Sequence, residues 1–133
     1  MTTLLVGTDQ EATSHRLCDY LEDRIETVET LHVVNSLKGG NDDAKVAAGQ
    51  AALDVFTDRF GDRIAVETHQ YTRGNDATAD LLTAAREFDV AEVVLGIDQK
   101  RTQVNKLIFG SVAQAVLLQT DRPVVGVPLP PED

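Results

Sequence analysis

Short apolar runs alternate with longer amphipathic stretches along this chain, and the alternation predicts its elements. Leu4-Leu5-Val6-Gly7 is an apolar run ending at Thr8-Asp9, a strand that feeds a turn. Leu17, Leu21, Ile25 and Val28 recur at intervals of four, four and three, which predicts an amphipathic helix over 12–27. Leu31-His32-Val33-Val34 reads as a second strand, and 35–43, with Gly39-Gly40, as a polar loop. Val46, Gly49, Leu53, Phe56 and Phe60 mark a second helix stopped at Gly61. Ile64, Val66, Thr68 and Gln70 alternate with Ala65, Glu67, His69 and Tyr71, as in a more exposed strand. Gly74-Asn75-Asp76 caps a third helix with Ala77, Leu81, Ala84, Ala85 and Phe88 on its inner face. Val93-Val94-Leu95 is a buried strand, 111–119 a fourth helix, and Val124-Val125-Gly126-Val127 the last strand, after which prolines end regular structure.

Five strands interleaved with four helices predict an α/β fold: one doubly wound, five-stranded parallel sheet with right-handed crossovers and helices on both faces. Strands covered on both faces lose strict alternation, as these do. Ligands bind such sheets beyond the carboxyl ends of the strands, where the strand order reverses. With the first and fourth strands adjacent, Thr8-Asp9 and the stretch from Gly96 to Ser111 converge on one crevice.

Length and charge narrow the picture. At 133 residues the chain is read as a single domain spanning 1–133. The one cysteine, Cys18, allows no internal disulfide, and the thiol falls on the apolar side of the first helix. The opening residues lack a basic leader and no apolar run approaches the length of a membrane span, so a soluble, cytoplasmic protein is expected. A net charge of −10 repels nucleic acid and anionic lipid, which excludes both as partners. Scarce lysine beside abundant aspartate fits a protein suited to concentrated salt, where self-repulsion is screened.

Against that acidity, Lys100, Arg101 and Lys106 stand close together between a buried strand and Gly110-Ser111 at a helix start. Free N–H groups and the positive end of a helix dipole, with cations nearby, suit an anion. Ser111 stands in an N-cap setting, its hydroxyl placed for an orphan N–H. His32, inside an apolar strand, reads as a packed, hydrogen-bonded histidine. His15 and His69 lack partners at ligand spacing, so no metal site is expected. With no nucleophile triad, phosphate-binding lysine loop or carboxylate pair in the sequence, no catalytic residue is assigned.

These residues resemble the universal stress protein family over nearly the whole chain. The resemblance rests on Leu4-Leu5-Val6-Gly7-Thr8-Asp9, Leu31-His32-Val33-Val34, Gly74, Glu92-Val93-Val94-Leu95-Gly96, Phe109-Gly110-Ser111-Val112 and Arg122-Pro123-Val124. It implies strand order 3-2-1-4-5 and a fold of the adenine-nucleotide hydrolase type. It also implies a site for ATP (with Mg²⁺) or AMP. Asp9 would contact the nucleoside, Val34 would face adenine through its backbone, and Gly96 would lie near ribose and phosphate. Gly110, Ser111 and Val112 would grip phosphate. The ATP-binding branch carries Gly, two residues, Gly, nine residues, then Gly-Ser or Gly-Thr. In this chain Gln99 replaces the middle glycine and ten residues precede Gly110. Lys100, Arg101 and Lys106 would then supply by side chain what glycine backbone supplies in the family.

The resemblance implies a homodimer through the last strand, 124–127, whose apolar edge needs covering. Three readings stand at this stage: a nucleotide-sensing stress-response dimer acting through unnamed protein partners, a weak ATP hydrolase, and a dimeric interaction module with a closed crevice.

Overall fold

A computed structural model describes residues 1–37, 42–98, 100–101, 107–108 and 110–130, the residues 100–101 and 107–108 in backbone only. Its elements are β1 (Thr2–Gly7), α1 (Glu11–Glu22), β2 (Val28–Ser36), α2 (Asp43–Phe60), β3 (Ala65–Tyr71), α3 (Ala77–Glu87), β4 (Glu92–Ile97), a two-strand ribbon of β5 (Lys100–Arg101) and β6 (Leu107–Ile108), α4 (Ser111–Gln119) and β7 (Val124–Pro128). The main sheet is five-stranded and parallel in the order β3-β2-β1-β4-β7. With the ribbon set aside, this is the expected order 3-2-1-4-5.

Each central strand sends alternate side chains to two apolar layers, which is why its sequence reads as a continuous run. Leu4 and Val6 of β1, Leu31 and Val33 of β2 and Val94 of β4 pack with Leu17, Cys18 and Leu21 of α1 and Leu53, Phe56 and Phe60 of α2. Leu5, Val34, Val93 and Leu95 face the other way, onto Leu81, Ala84 and Ala85 of α3 and Val116 of α4. Asp42 caps α2 by accepting from the Lys45 N–H at 2.7 Å, and Asp76 caps α3 by accepting from Ala79 N–H at 2.8 Å.

The first helix ends earlier than its apolar spacing predicts. After Glu22 the chain turns through a short 3₁₀ segment, Ile25–Thr27, and Val28 is already in β2, opposite Thr2. Arg24 fixes that turn: its guanidinium donates to Glu92 Oε2 at 2.7 Å and to Tyr20 Oη at 3.0 Å. Leaving the helix axis there lets Ile25 and Val28 stay buried while the backbone joins the sheet. The second strand likewise runs to Ser36 rather than stopping at Val34. The Gly39-Gly40 loop and Gln99 lie outside the described residues.

Candidate functional site

The carboxyl ends of β1, β2 and β4 open onto a cavity of about 250 Å³ between α1, α3 and α4. Its floor is Gly7, Val34, Leu81 and Leu95; its walls include Thr8, Asp9, Thr13, Ser36, Gly96, Asp98, Gly110, Ser111 and Val112. Sequence reasoning named Asp9, Val34, Gly96, Gly110, Ser111 and Val112, and the fold brings all six to this crevice. Lys106 lies outside the described residues, and Lys100 and Arg101 are defined only as backbone in the β5–β6 ribbon. A wider depression of about 510 Å³, lined by Glu11, His15, Asp54, Asp58 and Arg59, lies on the flank of α1 and α2. It collects no strand ends, so the smaller crevice is the candidate site.

The β1–α1 turn is held from three sides. Thr8 N–H extends the β1–β2 ladder to Val34 O at 3.0 Å. The Asn35 side-chain amide donates to Thr8 O at 3.1 Å, and Gln70 donates to Asn35 Oδ1 at 3.1 Å and to Val46 O at 3.0 Å. Ser14 Oγ donates to Ala52 O at 2.7 Å, so the 2.7 Å contact between Thr8 Oγ1 and Ser14 Oγ has Thr8 as donor. The Thr8 oxygen therefore keeps lone pairs for a ligand. Ser36 Oγ is fixed in the same sense, donating to the buried carboxylate of Asp80 at 2.5 Å. Its oxygen can accept from a donor in the crevice.

Sequence reasoning missed Asn35, Ser36, Asp80 and Asp98. Asn35 and Ser36 read as loop because they follow an apolar run. A polar residue continuing the strand's alternation was the available signal.

The start of α4 differs from the expectation for Ser111. Gly110, at φ −59° and ψ 144°, takes the N-cap position, Ser111 is the first helical residue, and the N-cap residue offers no side-chain cap. A glycine cap leaves the first N–H groups open to an anion instead of satisfying one internally.

The sequence model of the universal stress protein family matches residues 1–128. The chain belongs to the universal stress protein family. A universal stress protein from Mycolicibacterium smegmatis is 39% identical over 90 residues, covering 60% of this chain and 68% of the relative. A universal stress protein from Archaeoglobus fulgidus superposes with a TM-score of 0.74 at 29% identity, over 96% of this chain and 98% of that one. The universal stress protein from the same organism in complex with dAMP superposes with a TM-score of 0.69 at 24% identity, over 96% of this chain and 98% of that one. The five-stranded sheet and its flanking helix layers are thus those of the universal stress proteins.

Two further features of this chain lie off the crevice. His32 does not stand alone: its Nδ1 is 3.1 Å from Nε2 of His69, and Phe88 stacks on both rings at 4.1 and 4.6 Å between centroids. His69, which the sequence shows only to lack a partner at metal-ligand spacing, meets His32 through strand register, since Val34 stands opposite His69 and the two rings fall on one face. Burial pushes both imidazoles below their usual range. Cys18, packed under α1, has its thiol pushed up to about 12 by burial, which removes the reactive thiolate.

Among the described residues no three His, Cys, Asp or Glu side chains gather as a metal site, and no helix is long and apolar enough to cross a membrane.

Proposed function

We propose that this universal stress protein binds an adenine nucleotide in the crevice and senses it rather than turning it over. The observation that carries this reading is the gathering of Asp9, Val34, Gly96 and the uncapped start of α4 around one cavity at the strand ends. Solved proteins of this fold in complex with dAMP, cAMP and AMP support it. The base would lie on the β2 side, over Val34 and Leu81, with the oxygen of Ser36 able to accept from an amino group. The phosphate would sit at Gly110, Ser111 and Val112. If the ligand is ATP, Mg²⁺ would travel with the phosphates, and Asp9 and Asp98 are the carboxylates lining the crevice.

Nucleotide released from freshly purified protein on denaturation, together with a rise in unfolding temperature on adding AMP or ATP, would support the reading. Ligand at 100 times its Kd adds about 2.7 kcal/mol of stability. No released nucleotide and no shift at millimolar ligand would reject it. The alternative is an interaction module with a partly closed crevice, favoured by Leu129: its methyl carbons lie 2.9 Å from where a Cβ on Gly96 would stand, so the tail after β7 covers that glycine. Phosphate release above background in the same assays would point instead to weak hydrolysis.

The protein is further proposed to be a cytoplasmic homodimer paired through β7. β7 is an edge strand, Gly126 is exposed, and α4 beside it carries exposed Leu117 and Leu118. Covering such an edge removes an aggregation liability. A light-scattering mass of one chain would overturn the dimer.

A further inference from the structure

Resting on the nucleotide reading of the crevice, we propose that Asp98 decides which nucleotide it takes, favouring a nucleoside monophosphate over metal-free di- and triphosphates. Asp98 follows β4 and lines the crevice opposite the start of α4. Its Oδ2 lies 3.9 Å from the position that a Cβ on Gly110 would occupy. That places a carboxylate beside the first N–H groups of α4, where a phosphate would be gripped. Among the described residues those N–H groups have no side-chain cap, and the first turn of α4 holds no acid. Asp98 itself has no hydrogen bond or ion pair among the described residues.

Two opposing effects therefore meet at one spot. The open helix start attracts one anionic group through directed N–H donors and its dipole. The neighbouring carboxylate repels further negative charge placed within a few ångströms of it, as a phosphate added beyond the first would be in this crevice. Size points the same way, because about 250 Å³ is below the range of about 300–1,000 Å³ usual for sites that enclose drug-sized ligands. A nucleoside with a single phosphate suits both limits. Divalent cations change the balance, since a metal-bound polyphosphate presents less negative charge to Asp98.

Titration of wild type and Asp98→Asn with adenosine, AMP and ATP, in chelator at low ionic strength, tests the assignment. Wild type should bind AMP more tightly than ATP. Asp98→Asn should gain about fivefold for ATP, the factor matching the roughly 1 kcal/mol between two unit charges a few ångströms apart in water. The gain should be smaller for AMP and absent for adenosine. It should also vanish in about 1 M salt, where screening acts over about 3 Å. Asp98 is exposed, so the substitution leaves the fold intact, which equal unfolding temperatures would verify.

Unchanged or weaker ATP binding by the variant overturns the role of Asp98, and weaker binding would mean that a neighbouring cation already neutralises it. If AMP binds both proteins equally and ATP follows suit, only this inference falls. If neither protein binds any of the three compounds, the nucleotide reading falls with it.

Discussion

His32 and His69 lie 37 positions apart in the chain, yet one hydrogen bond joins their rings. That contact needs a proton on one nitrogen and a lone pair on the other, so both rings cannot be charged while it lasts. Glu67 on β3 favours the charged form of each ring and Glu87 adds to this at His69, while Leu5 of β1, at the register of His32, contributes no charge. Burial outweighs these carboxylates and holds both pKa values below the unfolded value of about 6.5. The unfolded chain therefore binds protons first on acidification. Stability is full above about pH 6.5 and declines below it. The urea midpoint should fall between about pH 7.5 and about pH 5.5, and His69→Gln should flatten that dependence. An equal slope in the variant would refute the pairing as its source. Gly49 offers a second test at this scale. A Cβ there would overlap the Asn35 amide and come within 2.6 Å of Gln70 Nε2. Gly49→Ala should cost about 2 kcal/mol in chemical unfolding and weaken crevice binding, because the same amide holds Thr8 O. Neither relation is visible in the sequence: Asn35 and Gln70 meet only because the β2–β3 register sets them opposite one another.

Between elements, the α4–β7 turn is tied to the end of α3 by a single side chain. Arg122 donates to Ala85 O at 2.7 Å and to Asp89 Oδ1 at 3.1 Å. Asp89 sits at a positive φ of 48°, a tight reversal that lets Val90 enter the core. Arg122→Ala should lower stability by about 1–2 kcal/mol, read from the urea midpoint, and leave the α1–α2 layer unaffected in hydrogen exchange. Substituting Asp89 by Ala should cost less, since its carboxylate is largely in water. Helix and strand periods were legible because aliphatic residues recur at the spacing of each face. Helix ends were less so. The spacing of Leu17, Leu21, Ile25 and Val28 continues a helical stripe, but Val28 belongs to the sheet. What stops the helix is Arg24 reaching Glu92, 68 residues away.

For the whole molecule, a net charge of −10 acts on stability without changing the fold. Ion pairs such as Arg59–Asp19 and Arg63–Glu22 lie at the surface and relieve little of that repulsion. Adding potassium chloride should raise the unfolding temperature through the screening range before any specific salting effect, and a flat response would dismiss self-repulsion as a significant cost.

The sequence by itself determined the α/β class, the succession of elements, the two-sided burial of the strands and six of the residues that line the crevice. Apolar spacing, caps and glycine-serine punctuation are local, so a linear reading captures them. Tertiary structure alone decided the meeting of His32 with His69, the amide chain from Thr8 to Val46, the glycine cap of α4 and the approach of Asp98 to Gly110. Each depends on strand register or on how a helix end lies against a neighbouring strand. Those are set by the balance of packing across the sheet, not by any residue's preference along the chain.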